Sequence, residues 1–334
     1  MRGRTMRIVF LLAGFALFFV NGLFATGTKE APKKEIVVAV CQANLESAFP
    51  QAERIGAINR AKELGYTVLN LVAEGDASKQ ASQIENAISK KVAAVVCWPV
   101  DTKAIVASVN ACKEAGIPYI ALSRMPADLT NITAAAVVDN FGAATIMTAA
   151  INDYKTKMGW STIKVIELVG DLGDQNAKER TQGYQAEAKR LGFTTVAQVP
   201  TEWNAQKANE GLVAALNANP DAQAVYIPSD YLWPATQSAL KSVGKLFSNK
   251  NEPAKHIFAV AMDGDPNGLQ ALRDGYLDIN VNQDPIMLGQ LAMDLARKGI
   301  EKQSIPNTMV PVENVPITVA NADTPTFWGN VFKK

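Results

Sequence analysis

The chain has 334 residues, is 48% hydrophobic and 19% charged, and carries a formal net charge of +1. Length and apolar content exclude a disordered polymer and fit two domains of ordinary size. The near-neutral balance excludes a strong field for nucleic acid or an anionic membrane, so the expected partner is a small molecule selected by local chemistry.

In chain order, a targeting signal comes first. Arg2, Arg4 and Arg7 form a positive start, Ile8 to Val20 is apolar and uncharged, and Leu23-Phe24-Ala25 suits a signal peptidase. The pattern predicts export to the periplasm with cleavage near Ala25. A retained membrane anchor is the alternative, but the apolar run is short and polar residues follow it directly. No cysteine stands near the cleavage point to carry a lipid, and residues 26–35 form a polar leader.

Strands and helices then alternate. Strands are expected at Glu35–Val40, Thr67–Val72, Val92–Val96 and Ile117–Leu122, and helices at Pro50–Leu64, Ala77–Lys90 and Ala104–Ala115. Gly65 and Gly116 are natural helix stops. After Asp139-Asn140 the pattern restarts. Helices are expected at Phe141–Met158, from the cap Asp174 to Leu191, and at Ala205–Leu216, Pro234–Val243 and Pro266–Arg273. Strands fall at Ile163–Leu168, Thr194–Val199, Ala222–Ile227 and Ile257–Ala261. Strict alternation predicts an α/β fold with parallel sheets covered on both faces. Cys41, Cys97 and Cys112 make no disulfide framework. They read as buried thiols, with a Cys41–Cys97 pair as the alternative.

In parallel sheets the ligand sits beyond the carboxyl ends of the strands. The residues there include Gln42 to Phe49, Trp98, Ser123-Arg124, Gly170 to Asp174, Trp203, Ser229-Asp230, Asp263 and Gln283. Aromatic rings mixed with charged and neutral polar groups suit a hydroxylated ligand. Its C–H faces stack on rings while its hydroxyls meet charged partners.

Ile120-Ala121-Leu122-Ser123-Arg124, Val165-Ile166-Glu167-Leu168 and Lys178-Glu179-Arg180-Thr181-Gln182-Gly183-Tyr184 appear in order, followed by Ser229-Asp230, Met262-Asp263-Gly264 and Gln283-Asp284-Pro285. On these segments the chain resembles the ribose-binding-protein family of type I periplasmic binding proteins over nearly all its mature length. The resemblance implies two Rossmann-like lobes joined by a three-stranded hinge, with the ligand cleft between them. It places residues 36–138 and 284–313 in an N-terminal lobe, and residues 139–283 and 314–334 in a C-terminal lobe. It further implies that Phe49 and Trp203 stack on the sugar from opposite lobes, that Arg124 and Arg180 donate to its oxygens, that Asp263 accepts its hydroxyl protons, and that Gln283 bridges near the hinge. The family's aspartate before the first arginine is Ser123 here, and its asparagine before the second-lobe aspartate is Ser229. Its asparagine near the stacking ring is matched by Ser47 or Glu46 in a longer loop. With these departures the resemblance implies a class, a small neutral sugar or polyol, rather than ribose itself.

Closure is the expected mechanism, with Phe49, Trp98 and Arg124 facing Arg180, Trp203 and Asp263 across the ligand. The expected partner is an ABC transporter permease; a sensor feeding a chemoreceptor is the alternative. No basic helix-turn-helix precedes the lobes, as a regulator would need. Asp263 to Asp274 nearly fits a calcium loop, but the twelfth position is Asp and a strand precedes it. Gly170 to Asp174 resembles a phosphate cradle, but its two aspartates favour capping. His256 is the only histidine, and no activated nucleophile is visible. No metal, cofactor or enzymatic activity is therefore expected. No cation is foreseen against Asp263.

Overall fold

The computed structural model describes residues 35–332. The expected export signal and the leader up to residue 34 lie outside the described residues, as do the last two residues of the chain.

The first half runs β1 (Val37–Gln42), α1 (Ala48–Glu63), β2 (Thr67–Val72), α2 (Ala77–Ser89), β3 (Ala94–Cys97), α3 (Ile105–Glu114), β4 (Tyr119–Leu122) and β5 (Ala134–Val138). The second runs α4 (Asn140–Lys157), β6 (Lys164–Val169), α5 (Gln175–Arg190), β7 (Thr194–Pro200), α6 (Ala205–Ala218), β8 (Ala224–Tyr226), α7 (Trp233–Ser242), β9 (Phe258–Asp263), α8 (Pro266–Asp274) and β10 (Ile279–Asn282). The chain ends with α9 (Pro285–Ile300), β11 (Met309–Val312), β12 (Val315–Ile317) and α10 (Trp328–Val331).

Local chemistry explains the boundaries. Asp76 caps α2 by accepting from the Ser78 and Lys79 amides, filling donors that the first turn leaves free. Asp265 does the same for α8, which has a proline in its first turn and stops at left-handed Gly275. The central strands are buried on both faces, as in β3 and β4, because helices cover each side of the sheet.

Two six-stranded sheets result, in the orders β11-β5-β4-β3-β1-β2 and β12-β10-β9-β8-β6-β7. All pairings are parallel except β10 with β12. The chain passes between the sheets after β5, after β10 and between β11 and β12. Helix α9 follows a strand of the second sheet yet packs with the first lobe, at two glycines. A Cβ on Gly56 would lie 2.2 Å from the Ile286 carbonyl oxygen, and one on Gly289 would lie 2.1 Å from that of Glu53. Only hydrogen side chains allow α1 and α9 to approach that closely.

The alternation pattern misses β5, whose Ala134-Ala135-Ala136 run has little intrinsic strand preference. Pairing with β4 and β11 on either side holds it extended. The first strand sits two residues later than expected and runs on to Gln42. Cys41 and Cys97 are register partners on β1 and β3. Both are free and buried, as is Cys112, which matches the reading as small apolar side chains. His256 is held between the Phe247 carbonyl and Asp278, at 2.7 Å from each. Among the described residues no helix is long and apolar enough to cross a membrane.

Candidate ligand-binding cleft

The carboxyl edges of both sheets open on one cavity of about 200 Å³. Pockets for drug-sized ligands run to ~300–1,000 Å³, so this one fits a smaller molecule. From the first sheet, the turn after β1 and the start of α1 bring Glu46, Ser47 and Phe49, the residue after β3 is Trp98, and those after β4 are Ser123 and Arg124. From the second, α5 brings Arg180, the loop after β7 Trp203, the loop after β8 Ser229, and the end of β9 Asp263. Sequence reasoning named all of these.

Gln283 is the exception, since it does not line the cavity. It is buried and accepts from Arg180 Nη2 at 3.0 Å, while its own amide reaches Asn314 Oδ1 at 3.4 Å. It therefore orients Arg180 from behind, where the chain crosses between the sheets.

The cavity wall also includes Asn44, Asp174, Asn176, Asp230, Tyr231 and Asp265. Most stand in the same strand-end loops, and that placement was the available signal. Asp174 is more than the expected cap. It accepts from the Asn176 amide at 3.1 Å, from Arg124 Nη2 at 2.9 Å and from Trp203 Nε1 at 3.3 Å. Arg124 also donates to the Pro99 and Val100 carbonyls and lies 5.4 Å from the Trp98 ring centroid. Asn176 donates to the Ser123 carbonyl at 3.3 Å. Arg124–Asp174 and Asn176–Ser123 thus join the first sheet's loops to the second's.

Arg180 is fixed at each nitrogen. It donates to Asn140 Oδ1 at 2.8 Å, to the Pro228 carbonyl at 2.7 Å and to Gln283. Its Nη1 is also 3.6 Å from Asp263 Oδ1, with both side chains buried. This corrects the expectation that Asp263 faces no cation. The separation is an ion pair but too long for a hydrogen bond. Ser229 Oγ donates to the other carboxylate oxygen. Burial pushes the Asp263 carboxyl up from its ordinary value, while Arg180 and Ser229 pull against that. Burial also raises Asp230, helped by the charges of Asp265 and Asp263.

Asp230 Oδ1 and Asp263 Oδ1 have no hydrogen-bond partner, and neither has the donor Trp98 Nε1. A wall offering both orphaned acceptors and orphaned donors suits hydroxyl groups, which can do both. Ser123, Glu202, Trp203 and Asp263 all take positive φ, reaching 102° at Asp263. Such backbones cost about 1–3 kcal/mol each and tend to gather at ligand clamps. Asp265 and Asp274, both in the calcium-like pattern, sit at opposite ends of the nine-residue α8, about 13 Å apart at ~1.5 Å per residue. One ion cannot bridge them.

Glu53 on α1 escaped sequence reasoning because nothing marks it apart from other helix residues. It is fully buried behind Ser123, whose hydroxyl donates to it, and Gln42 Nε2 donates to its other oxygen at 3.3 Å. Burial pushes its pKa up to about 7 from an ordinary 4.5, against the pull of Ser123, Gln42 and Arg124. The folded chain therefore holds this proton up to about pH 7 and the unfolded chain only to about 4.5. Folding takes up a proton between those values, so this group's contribution to stability falls as pH rises through that window. Glu53→Gln cannot titrate. Its stability relative to wild type, measured by urea unfolding, should rise by about 2–3 kcal/mol between about pH 5 and pH 8. A difference that does not change with pH would refute the buried-carboxyl reading.

The family model described as "periplasmic binding protein domain" matches residues 38–304. The chain belongs to the periplasmic binding protein family. As the sequence resemblance implied, it is similar to the ribose import binding protein of Salmonella typhimurium, at 26% identity over 85% of this chain and 90% of that protein. Two solved solute binding proteins share the fold. One is an ABC transporter solute binding protein from Bacillus halodurans with bound myo-inositol, with a TM-score of 0.76, 23% identity, and coverage of 86% of this chain and 96% of that one. The other is a periplasmic solute binding protein from Actinobacillus succinogenes with bound D-allose, with a TM-score of 0.77, 23% identity, and coverage of 86% and 99%.

Proposed function

We propose that this periplasmic binding protein captures a small neutral sugar or polyol between its lobes and delivers it to an ABC transporter permease. We infer the lobes to be residues 36–138 with 284–313 and residues 139–283 with 314–334, as the family resemblance implies. The carrying observation is a small cavity between the two sheet edges. Rings such as Phe49, Trp98 and Trp203 line it, together with polar groups that include Arg124, Arg180, Ser229, Asp230 and Asp263. Rings accept the C–H faces of a sugar or cyclitol, while paired donors and acceptors meet its hydroxyls. The ligands named for the relatives and structural neighbours, ribose, myo-inositol and D-allose, support the same class. Because the ligand touches both lobes only when they are shut, binding shifts the population toward the closed form. A permease would read that closed pair of faces.

A thermal-shift screen of free pentoses, hexoses and cyclic polyols tests this. A cognate ligand at a hundred times its dissociation constant should stabilise the protein by about 2.7 kcal/mol. A response confined to amino acids or nucleosides would overturn the proposal.

A further inference from the structure

After β12 the chain continues for fifteen described residues, Thr318–Phe332, which the family resemblance gives no role. Arg273 on α8 ties this tail down. It donates to Asp323 Oδ1 at 2.7 Å, to the Ala322 carbonyl at 3.0 Å and to Asn330 Oδ1 at 2.5 Å. Asn330 in turn donates to the Ala322 and Thr324 carbonyls. The tail is thereby docked on the second lobe.

Trp328, at the start of α10, is fully buried, yet its ring leaves that lobe. It packs among Ala48 and Ala52 of α1 and Ile286 of α9, both first-lobe helices. Its plane meets the Phe49 ring edge-on at 88°, with centroids 6.1 Å apart. Its Nε1 donates to the Asp263 carbonyl oxygen at 2.7 Å. Beside it, a Cβ on Gly329 would lie 2.3 Å from the Gly264 carbonyl oxygen, so the tail backbone lies directly against the peptide after Asp263. Asp263 and Gly264 both have positive φ, at 102° and 79°. A residue other than glycine does not keep such a conformation unless its surroundings impose it.

We propose that Trp328 is a positioning residue for the cleft, setting the Phe49 ring from one lobe and the Asp263 peptide from the other. The inference rests on reading the cleft as the ligand site. Trp328 does not line the cavity. It supports the stacking ring from behind and anchors the carbonyl of the residue whose carboxylate faces the ligand. One side chain on a C-terminal extension therefore couples two contacts that belong to different lobes, and affinity depends on the tail.

The test is Trp328→Phe, which keeps an aromatic ring beside Phe49 and removes the Nε1 donor. Without ligand, hydrogen exchange should quicken in peptides covering Phe258–Leu269 and stay unchanged in the distant helices α2 and α6. With the sugar or polyol that the wild type binds, calorimetry should show about tenfold weaker binding, a difference of about 1.4 kcal/mol. In the Asp263→Asn background the same substitution should cost much less, because the group it positions is gone. Trp328→Phe that binds as wild type does, or that weakens binding equally with and without the Asp263 carboxylate, would overturn the inference. So would quickened exchange across the whole second lobe, which marks a purely structural role. If no sugar or polyol binds wild type, the proposed function fails on its own and the exchange result still decides what Trp328 positions.

Discussion

Arg180→Met is expected to abolish most ligand binding and to destabilise the unliganded protein by about 3–5 kcal/mol. Methionine matches the length of the apolar stem but supplies no donors. The Asn140, Pro228 and Gln283 oxygens that Arg180 satisfies would be left buried without partners. The Asp263 carboxylate would lose the only cation within 4 Å among the described residues. Removing one partner of a buried pair leaves an uncompensated charge, and that penalty exceeds the worth of the pair itself. At the cleft, the charge-assisted hydrogen bonds that we propose Arg180 makes to ligand hydroxyls, at ~1.5–3 kcal/mol each, would disappear, so affinity should fall by about a hundredfold. Urea unfolding at neutral pH and calorimetry measure the two effects. A variant of unchanged stability would show that Arg180 is not the hub of this network. Unchanged affinity would remove it from the ligand site.

Asp263→Asn separates binding from folding. The amide keeps the shape but loses the charge and part of the acceptor capacity, so binding should weaken about tenfold or more. The unliganded protein should change by less than about 1 kcal/mol, because two effects oppose each other. The substitution gives up the 3.6 Å attraction to Arg180, but it also removes a carboxylate whose largest perturbation is the cost of burial. This balance differs from the reason available from sequence, which was that no cation stood nearby. Calorimetry with the cognate ligand and melting of the unliganded protein, with and without calcium, decide the matter. Unchanged affinity would remove Asp263 from the ligand contacts, and a calcium-dependent rise in melting temperature that the mutant lacks would make it a metal ligand instead.

The wall of the cleft was largely legible because it depends on one rule. In a parallel sheet every strand ends on the same edge, so residues following the strands converge whatever their separation in sequence. Phe49, Trp98, Arg124, Trp203 and Asp263 follow from that rule, while Arg180, inside α5, came from the family resemblance. What lies behind the wall was not legible. Glu53 sits on a helix, where spacing tells which residues share a face but not what that face meets. Its contact with Ser123 spans seventy positions. Trp328 lies 65 positions from the carbonyl it holds, in a tail with no periodic pattern to announce it.

By itself the sequence determined the alternation of strands and helices, the two α/β units and the chemical character of the cleft edge. Each rests on local signals: runs of β-branched residues, helix stops, caps and the residue after a strand. Only the tertiary structure decided that α9 packs on α1 backbone to backbone at Gly56, that Arg124 meets Asp174 across the cleft, that Arg180 faces Asp263, and that Gln283 stands behind the site. These are meetings between distant segments. They depend on backbone approach and on which buried polar group finds which partner, and a hydrogen-bonding side chain carries no mark in sequence of the group that will satisfy it.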